Sequence, residues 1–164
     1  MDYHDPNVGE IDMHEEETCG LCRSDLSPVI AESTYWRLVL NRNQNLLGKC
    51  FWVLRRHEES VPELSTAEWL DLHEQLAFTT RALALAFAPD HFNYEFLQNQ
   101  DRHVHCHVIA RYATVRTFAG VSFEDPDYPG HYAVPALSRL LAPAVMADLT
   151  QCLHTRFVEA NTGG

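Results

Sequence analysis

HVHCHVI, residues 103–109 of the chain, places three histidines two residues apart within a run of apolar residues. On a β-strand, next-but-one side chains share a face and lie about 6.6 to 6.8 Å apart. The pattern therefore predicts a strand that carries three imidazoles on one face. The side chains between them, those of Val104, Cys106 and Val108, are expected to face the core.

Three imidazoles on one strand face are costly to bury. Each ring keeps a polar nitrogen that needs a hydrogen bond, a proton or a metal ion. A cluster of histidines satisfied by structural hydrogen bonds is one interpretation. The strict alternation favours a functional site, provided that other segments of the chain supply what such a site needs.

Cys19-Gly20-Leu21-Cys22 is the first such segment. Two cysteines separated by two residues can present both thiolates to one tetrahedral zinc ion, which then needs two more nitrogen or sulfur ligands. The pair could equally be a redox couple or two unrelated thiols. A thioredoxin-like motif has a βαβ setting, whereas this pair follows an acidic segment.

The second segment, Gly48–His57, is an apolar run that ends on two arginines and a histidine. With it, the chain resembles the histidine triad superfamily of nucleotide hydrolases and transferases. In that superfamily a strand ending in basic residues and a histidine precedes a helix and then His-x-His-x-His. The resemblance runs from about Cys19 to Arg111. Ala110 replaces the family's usual proline, and the glycine-rich Gly-Gln-Ser-Val stretch before the triad is missing.

The resemblance implies an α+β fold, with a mostly antiparallel sheet, a long central helix and a C-terminal helix. The residues indicate short strands at 28–32 and 36–40. A capping box at Ser65–Glu68 predicts the start of the central helix, and an amphipathic pattern predicts a closing helix at Ala144–Phe157. Trp52 is expected in the core.

Two further segments concern the surroundings of the triad. Residues 92–98 are expected to form a strand that pairs antiparallel with the triad strand across a tight turn. Residues 117–132, rich in proline, glycine and aromatic residues, predict an extended loop or small flap. This flap is interpreted either as a wall of the ligand site or as a surface covering.

The resemblance to the zinc-bearing branch implies a metal site closed by four residues, namely Cys19, Cys22, His57 and His103. Zinc is the expected ion, with iron as the alternative. Such a site would fix the start of the triad strand, and it would position the catalytic histidine without attacking the substrate.

His105 is, by the same resemblance, the nucleophile. Its neutral imidazole would attack the α-phosphorus of a nucleotide and form a covalent nucleotidyl-histidine. His107 would donate a hydrogen bond to the phosphate or to the leaving group. His103 completes the catalytic triad through its place in the metal site.

Four side chains are expected to contact the substrate, namely Asn41, Asn99, Gln100 and Arg111. Asn41 stands where the family contacts the ribose, although it could instead bond its own backbone in a turn. Asn99 and Gln100 precede the triad, and Gln100 falls where the family often has a phosphate-contacting side chain. Arg111 is a possible phosphate contact, although an arginine at a strand end is often solvated or ion-paired.

These expectations favour a hydrolase that cleaves at the α-phosphate of a dinucleoside polyphosphate, such as diadenosine tetraphosphate, or of an adenylylated small molecule. One alternative is a nucleotidyl transferase that uses the same histidine. His107 favours the hydrolase, because the transferase branch typically has glutamine there. A second alternative is a non-catalytic, zinc-stabilised nucleotide-binding module. The resemblance also implies a homodimer.

Composition sets further limits. The chain has 164 residues and a net charge of −11, and seven of its 23 acidic residues lie in residues 1–17. We expect those residues to be a mobile acidic tail and 18–164 to be a single domain. So acidic a protein is poorly suited to bind long nucleic acid.

The lack of a signal-like or membrane-spanning apolar run predicts a cytoplasmic protein without a membrane partner.

Overall fold

A computed structural model describes residues 19–22, 26, 28–133 and 137–162. The expected acidic tail lies outside the described residues, and the division into a tail and one domain stays a prediction. Within the described residues, no helix is both long and apolar enough to cross a membrane. The strands and longer helices are β1 (Val29–Glu32), β2 (Trp36–Leu40), β3 (Cys50–Leu54), α1 (Thr66–Phe87), β4 (His91–Glu95), β5 (His105–Arg111), β6 (Arg116–Phe118), β7 (Val121–Phe123) and α2 (Pro143–Thr162).

The main sheet has the order β1-β2-β3-β5-β4, and every neighbouring pair in it is antiparallel. This confirms the α+β fold that the sequence predicted. The triad strand β5 lies between β3 and β4, with His105 opposite Val53 and His107 opposite both Phe51 and Glu95. Both flanks of the triad strand are therefore hydrogen-bonded, which holds its side chains in fixed positions.

One face of this sheet packs against α1 and α2. Val104, Cys106 and Val108 all lie in this core, as the alternation predicted. Trp52 is fully buried there, and its indole nitrogen donates to the hydroxyl of Thr79 at 2.9 Å. Because the helices cover this face, the histidines of β5 are directed to the opposite one.

The central helix begins at the predicted capping box. The Ser65 hydroxyl accepts a hydrogen bond from the Glu68 amide at 3.3 Å, and the Glu68 carboxylate accepts from the Ser65 amide at 2.8 Å. Glu68 also accepts from the Arg56 guanidinium at 2.7 Å. The helix start is thus tied to the strand end that delivers His57.

Four predictions need correction. Strand β4 ends at Glu95, and residues 96–104 connect it to β5, so the connection is not a tight turn. The segment expected to be an extended loop or small flap is not irregular throughout, because it contains most of the hairpin β6–β7, and α2 extends beyond Phe157 to Thr162. His103 lies just before β5 and not within it.

Candidate metal centre and active-site cleft

Four potential metal ligands converge at the start of β5. Their sulfur and nitrogen atoms all lie within 4.8 Å of one another, and they belong to Cys19, Cys22, His57 and His103. The Cys22 sulfur lies 3.2 Å from Nδ1 of His57 and 3.3 Å from Nδ1 of His103. In a tetrahedral zinc site the sulfur and nitrogen ligands are about 3.5 Å apart. The four residues therefore fit a Cys₂His₂ site.

His103 is oriented for metal binding by its other ring nitrogen. Its Nε2 donates to the carbonyl oxygen of Leu54 at 2.7 Å, which leaves the lone pair of Nδ1 directed at the two cysteines. The side chain is fully buried, and this burial lowers the pKa of His103 to about 4. The neutral imidazole that a metal requires is therefore the form present at neutral pH.

The cysteine pair is held by a small apolar cluster. The amide of Cys22 donates to the carbonyl of Cys19 at 3.3 Å, which closes the turn between them. Leu21, between the two, is buried against Val39 and Val53 of the sheet. The spacing of the motif therefore places both sulfurs towards the histidines and one leucine into the sheet.

His105 and His107 line a cleft of about 400 Å³ next to the metal centre. Nδ1 of His105 donates to the carbonyl of His103 at 2.7 Å, which leaves Nε2 unprotonated in the neutral ring. The two rings are 4.8 Å apart, and the ring of Phe51 lies 5.9 Å and 5.6 Å from them. The backbone thus selects the tautomer of His105 that a nucleophile needs.

His107 has unused hydrogen-bonding capacity. Its Nδ1 is buried and has no hydrogen-bond partner among the residues that the structure describes. Burial lowers the pKa of His107 to about 4, with smaller contributions from His105 and Lys49. The ring is therefore neutral at neutral pH and can donate one proton in a hydrogen bond.

The structure brings three of the four expected substrate contacts to the cleft, since Asn41, Asn99 and Gln100 line it. Asn99 and Gln100 are exposed. The oxygen of the Asn41 side chain accepts from the amide of Asn43 at 2.9 Å, so the turn geometry considered as an alternative is also present. The amide nitrogen of Asn41 and the second lone pair of its oxygen remain for a ligand.

Arg111 is not brought to the cleft. Its side chain is 2% exposed and forms an ion pair with Asp125 at 2.6 Å. It also donates to the side-chain oxygen of Asn93 at 2.9 Å and to the carbonyl of Gly130 at 3.0 Å. The ion-paired alternative is thus the one that the structure contains, because residues after β5 fold over the guanidinium.

Lys49 and Tyr132 are among the cleft residues that were not singled out from the sequence. Lys49 precedes β3 and Tyr132 follows the β6–β7 hairpin, and both line the cleft. The Tyr132 hydroxyl donates to the carboxylate of Glu95 on β4. The expected flap therefore contributes a wall of the cleft through Tyr132. For Lys49 the available signal was its position two residues before Phe51, on the same strand face.

Several solved structures of similar fold are histidine triad proteins. A histidine triad protein from Marinobacter aquaeolei VT8 has a TM-score of 0.67 and 18% identity, covering 82% of this chain and 91% of that one. A zinc-bound histidine triad family protein from Mycobacterium smegmatis has a TM-score of 0.64 and 14% identity, covering 91% and 99%. A histidine triad protein from Bradyrhizobium japonicum has a TM-score of 0.61 and 16% identity, covering 80% and 91%.

No protein-family model matches the sequence, and no curated protein sequence is significantly similar to it. The structural similarity at these low identities establishes the fold. The chain therefore has the histidine triad fold, and its chemistry has to be inferred from its own residues.

Proposed function

We propose that the protein is a nucleotide hydrolase of the histidine triad type, which cleaves at the α-phosphate through a covalent nucleotidyl-histidine. The observation that carries this proposal is the hydrogen bond from Nδ1 of His105 to the His103 carbonyl. It presents an unprotonated Nε2 beside His107 in a cleft large enough for a nucleotide. Dinucleoside polyphosphates and adenylylated small molecules are the proposed substrates.

In the first step, the lone pair of Nε2 of His105 attacks the α-phosphorus. A nitrogen–phosphorus bond forms, and the bond from phosphorus to the leaving group breaks, so that the leaving group takes the electron pair. The proton on Nδ1 stays in its hydrogen bond to the His103 carbonyl, which stabilises the positive charge that develops on the ring. His107 donates a hydrogen bond to the phosphate or to the departing oxygen.

In the second step, water attacks the same phosphorus and the nitrogen–phosphorus bond breaks. The electron pair returns to Nε2 of His105, and the proton lost by water passes to His107 or to solvent. The nucleoside monophosphate then leaves, any proton taken up by His107 passes to solvent, and both histidines are neutral again. Asn41 and Gln100 line the cleft and supply hydrogen-bond donors to the bound nucleotide. Both side chains are neutral amides, so they add no charge to the site.

A zinc ion bound by Cys19, Cys22, His57 and His103 would supply structural cross-linking and no reactive oxygen, because four protein ligands fill a tetrahedral ion. The zinc-bound relative from Mycobacterium smegmatis supports this choice of metal. The His103 carbonyl, which orients the nucleophile, belongs to one of these ligands. The metal centre and the nucleophile are therefore coupled through a single residue.

The transferase alternative uses the same first step and differs only in the acceptor of the nucleotidyl group. A histidine at position 107 favours water as the acceptor, because its neutral ring lines the cleft and can take a proton from water, which the glutamine of the transferase branch cannot. A homodimer, which the resemblance implies, is proposed in addition and can be checked by light scattering.

The test compares the wild-type protein with His105→Ala on diadenosine tetraphosphate and on an adenosine phosphoramidate. Release of AMP or ATP is followed by chromatography, and bound zinc is measured on the same samples. Removing the nucleophile should lower turnover by about 10³-fold or more and leave the zinc content unchanged. The matched control is His73→Ala, because His73 is exposed on α1.

Intact mass spectrometry of the protein quenched in base should reveal one added nucleotidyl group in the wild type and none in His105→Ala. A wild type that binds nucleotide but turns over neither substrate would exclude the hydrolase. Equal turnover in both variants would exclude His105 as the nucleophile.

A further inference from the structure

Lys49 is the only lysine in the chain, and it lines the cleft. It lies two residues before Phe51, so strand alternation places both side chains on the face that carries the histidines. Phe51 is opposite His107 in the sheet. The single lysine ammonium group thus lies close enough to His107, one of the imidazoles proposed to act on phosphate, to affect it electrostatically.

The turn before β3 is built to hold Lys49 in place. Gln44 is fully buried, and its side-chain nitrogen donates to the carbonyls of Asn41 and Lys49. Its side-chain oxygen accepts from the amide of Gly48 at 2.9 Å. Gly48 has φ of +77°, and a Cβ there would come within 2.8 Å of Leu83. This turn therefore needs glycine, and the bonds from Gln44 fix the backbone at Asn41 and Lys49, which both line the cleft.

A phosphate in this cleft needs a cation, and Lys49 is the candidate. The described lining of the cleft contains Asp101 but no arginine. Arg111 is paired with Asp125, and Arg56 is paired with Glu58 and Glu68. An α-phosphate beside Asp101 would experience repulsion from the carboxylate unless a positive charge lies close to it. Among the described residues that line the cleft, Lys49 is the one lysine or arginine, and its side chain can supply that charge.

The ammonium group is not committed to an ion pair with any described residue. Its nitrogen donates to the side-chain oxygen of Asn45 at 3.3 Å, a long bond to a neutral group. Glu95 acts on it electrostatically, although this carboxylate accepts from Tyr132 and lies beyond ion-pair distance of the lysine. Burial lowers the pKa of Lys49, and the charge of Glu95 raises it. A partly buried cation whose one described hydrogen bond is long and to a neutral group gains more from binding an anion than a fully solvated or ion-paired cation does.

We propose that Lys49 binds a non-bridging oxygen of the substrate α-phosphate and is the residue that gives the cleft its selectivity for phosphorylated nucleosides. The proposal rests on the proposed function for the identity of the reacting phosphate. It makes a separate statement about binding, because a nucleoside monophosphate should depend on Lys49 and the corresponding nucleoside should not.

The experiment measures binding of AMP and of adenosine to wild type, Lys49→Met and Lys49→Arg by isothermal titration calorimetry. Methionine keeps the unbranched side chain as far as Cε and removes the charged Nζ group. A hydrogen bond to a charged group predicts AMP binding about 10- to 100-fold weaker in Lys49→Met, with adenosine binding unchanged. Lys49→Arg should retain a large part of the AMP affinity, and added salt should weaken AMP binding less in Lys49→Met than in wild type.

The result that overturns the proposal is AMP binding by Lys49→Met that equals wild type. That outcome does not depend on turnover, so it is distinguishable from failure of the hydrolase assignment. A wild type that binds AMP through Lys49 without hydrolysing any substrate would keep the present proposal and exclude the hydrolase. Equal losses of AMP and adenosine binding would also overturn it, because they would indicate a packing role.

A second measurement uses the folded wild-type protein and so avoids any effect of substitution on folding. Acetylation of Lys49 by an amine-reactive ester is followed by peptide mass spectrometry. Since the chain has no other lysine, the modified peptide is unambiguous. Saturating AMP should slow this acetylation about 10-fold or more, whereas saturating adenosine should slow it much less. An acetylation rate that AMP leaves unchanged would contradict the proposal.

Discussion

The histidines at 103, 105 and 107 differ in how far their ring nitrogens are hydrogen-bonded. We call His103 with its three neighbouring ligands the metal end, and His105 with His107 the cleft end. At the metal end, both ring nitrogens of His103 are engaged, one by the Leu54 carbonyl and the other by the cysteine sulfurs. At the cleft end, His105 uses one ring nitrogen for the backbone, and Nδ1 of His107 has no partner in the described structure. The same residue type is thus fully hydrogen-bonded at one end and, at the other, keeps ring nitrogens available for the chemistry proposed above.

The difference is created by what surrounds each histidine. His103 meets the cysteine turn and the end of β3, which together fill its hydrogen-bonding capacity. His107 lies between Phe51 and Glu95 on the flanking strands, opposite neighbours that leave a cleft above it. Alternation therefore determines the face, and the non-local neighbours determine the role. Experiments that disturb one end at a time can separate these roles.

Removing the metal end should have the largest effect on the whole molecule. Cys22→Ser, or treatment of wild type with a strong chelator, should lower the free energy of unfolding by several kcal/mol, because four ligands from distant segments lose their common ion. Thermal unfolding followed by circular dichroism measures this change. Turnover should fall as well, since the His103 carbonyl orients His105.

The matched control for that substitution is Cys152→Ser, on α2 and partly buried away from the four ligands. It should keep about one zinc per chain and a nearly unchanged melting temperature. If Cys22→Ser matched this control in both zinc content and stability, the four-ligand site would be wrong.

Substitution of Arg111, the last residue of β5, tests whether this residue stabilises the fold or contacts the ligand. Arg111→Met should lower the free energy of unfolding by about 3 to 5 kcal/mol, because it leaves Asp125 buried without its partner. Its effect on AMP affinity should be smaller than that of Lys49→Met, as Arg111 does not line the cleft. Urea unfolding and calorimetric AMP titration measure the two effects.

The double variant Arg111→Met with Asp125→Leu provides the control, since it removes both buried charges. Much of the lost stability should return, giving a coupling energy between the two positions. A stable Arg111→Met protein that no longer binds AMP would instead support the phosphate contact expected from the sequence.

Strand alternation predicted much of this site. The inward direction of Val104, Cys106 and Val108 follows from period two alone. The four metal ligands and the role of His105 came from the resemblance, because spacing cannot distinguish His103 from His107 as a ligand. The structure brings the four ligands together, and the metal itself stays a prediction.

What sequence reasoning missed depends on contacts between distant segments. The partner of Arg111 is Asp125, and no local pattern pairs these two residues. The strands β6 and β7 have three residues each, too few to give a recognisable alternation. Lys49 stands at the start of an apolar strand, where a lysine is usually a solvated end. Its partly buried position follows from the turn around Gln44, which bonds to its backbone carbonyl and which only the folded chain reveals.

The smallest expected effect is the pH dependence of stability that His107 causes. His107 has a pKa of about 4 in the folded protein because of its burial, against an ordinary value near 6.5. Between these two values the unfolded chain binds a proton that the folded chain does not. The resulting stability is complete above about pH 6.5 and is lost as the pH falls towards 4.

For a shift of this size, wild type should lose about 2 kcal/mol of unfolding free energy between pH 8 and pH 5 through His107. His107→Gln should lose correspondingly less, because glutamine does not titrate. Urea unfolding of both proteins at each pH, with equal zinc, cancels the contribution of the metal ligands from the difference. Identical pH dependence in the two proteins would mean that His107 is protonated as readily in the fold as in water. In that case the cleft end could not keep the neutral imidazole that distinguishes it from an ordinary surface histidine.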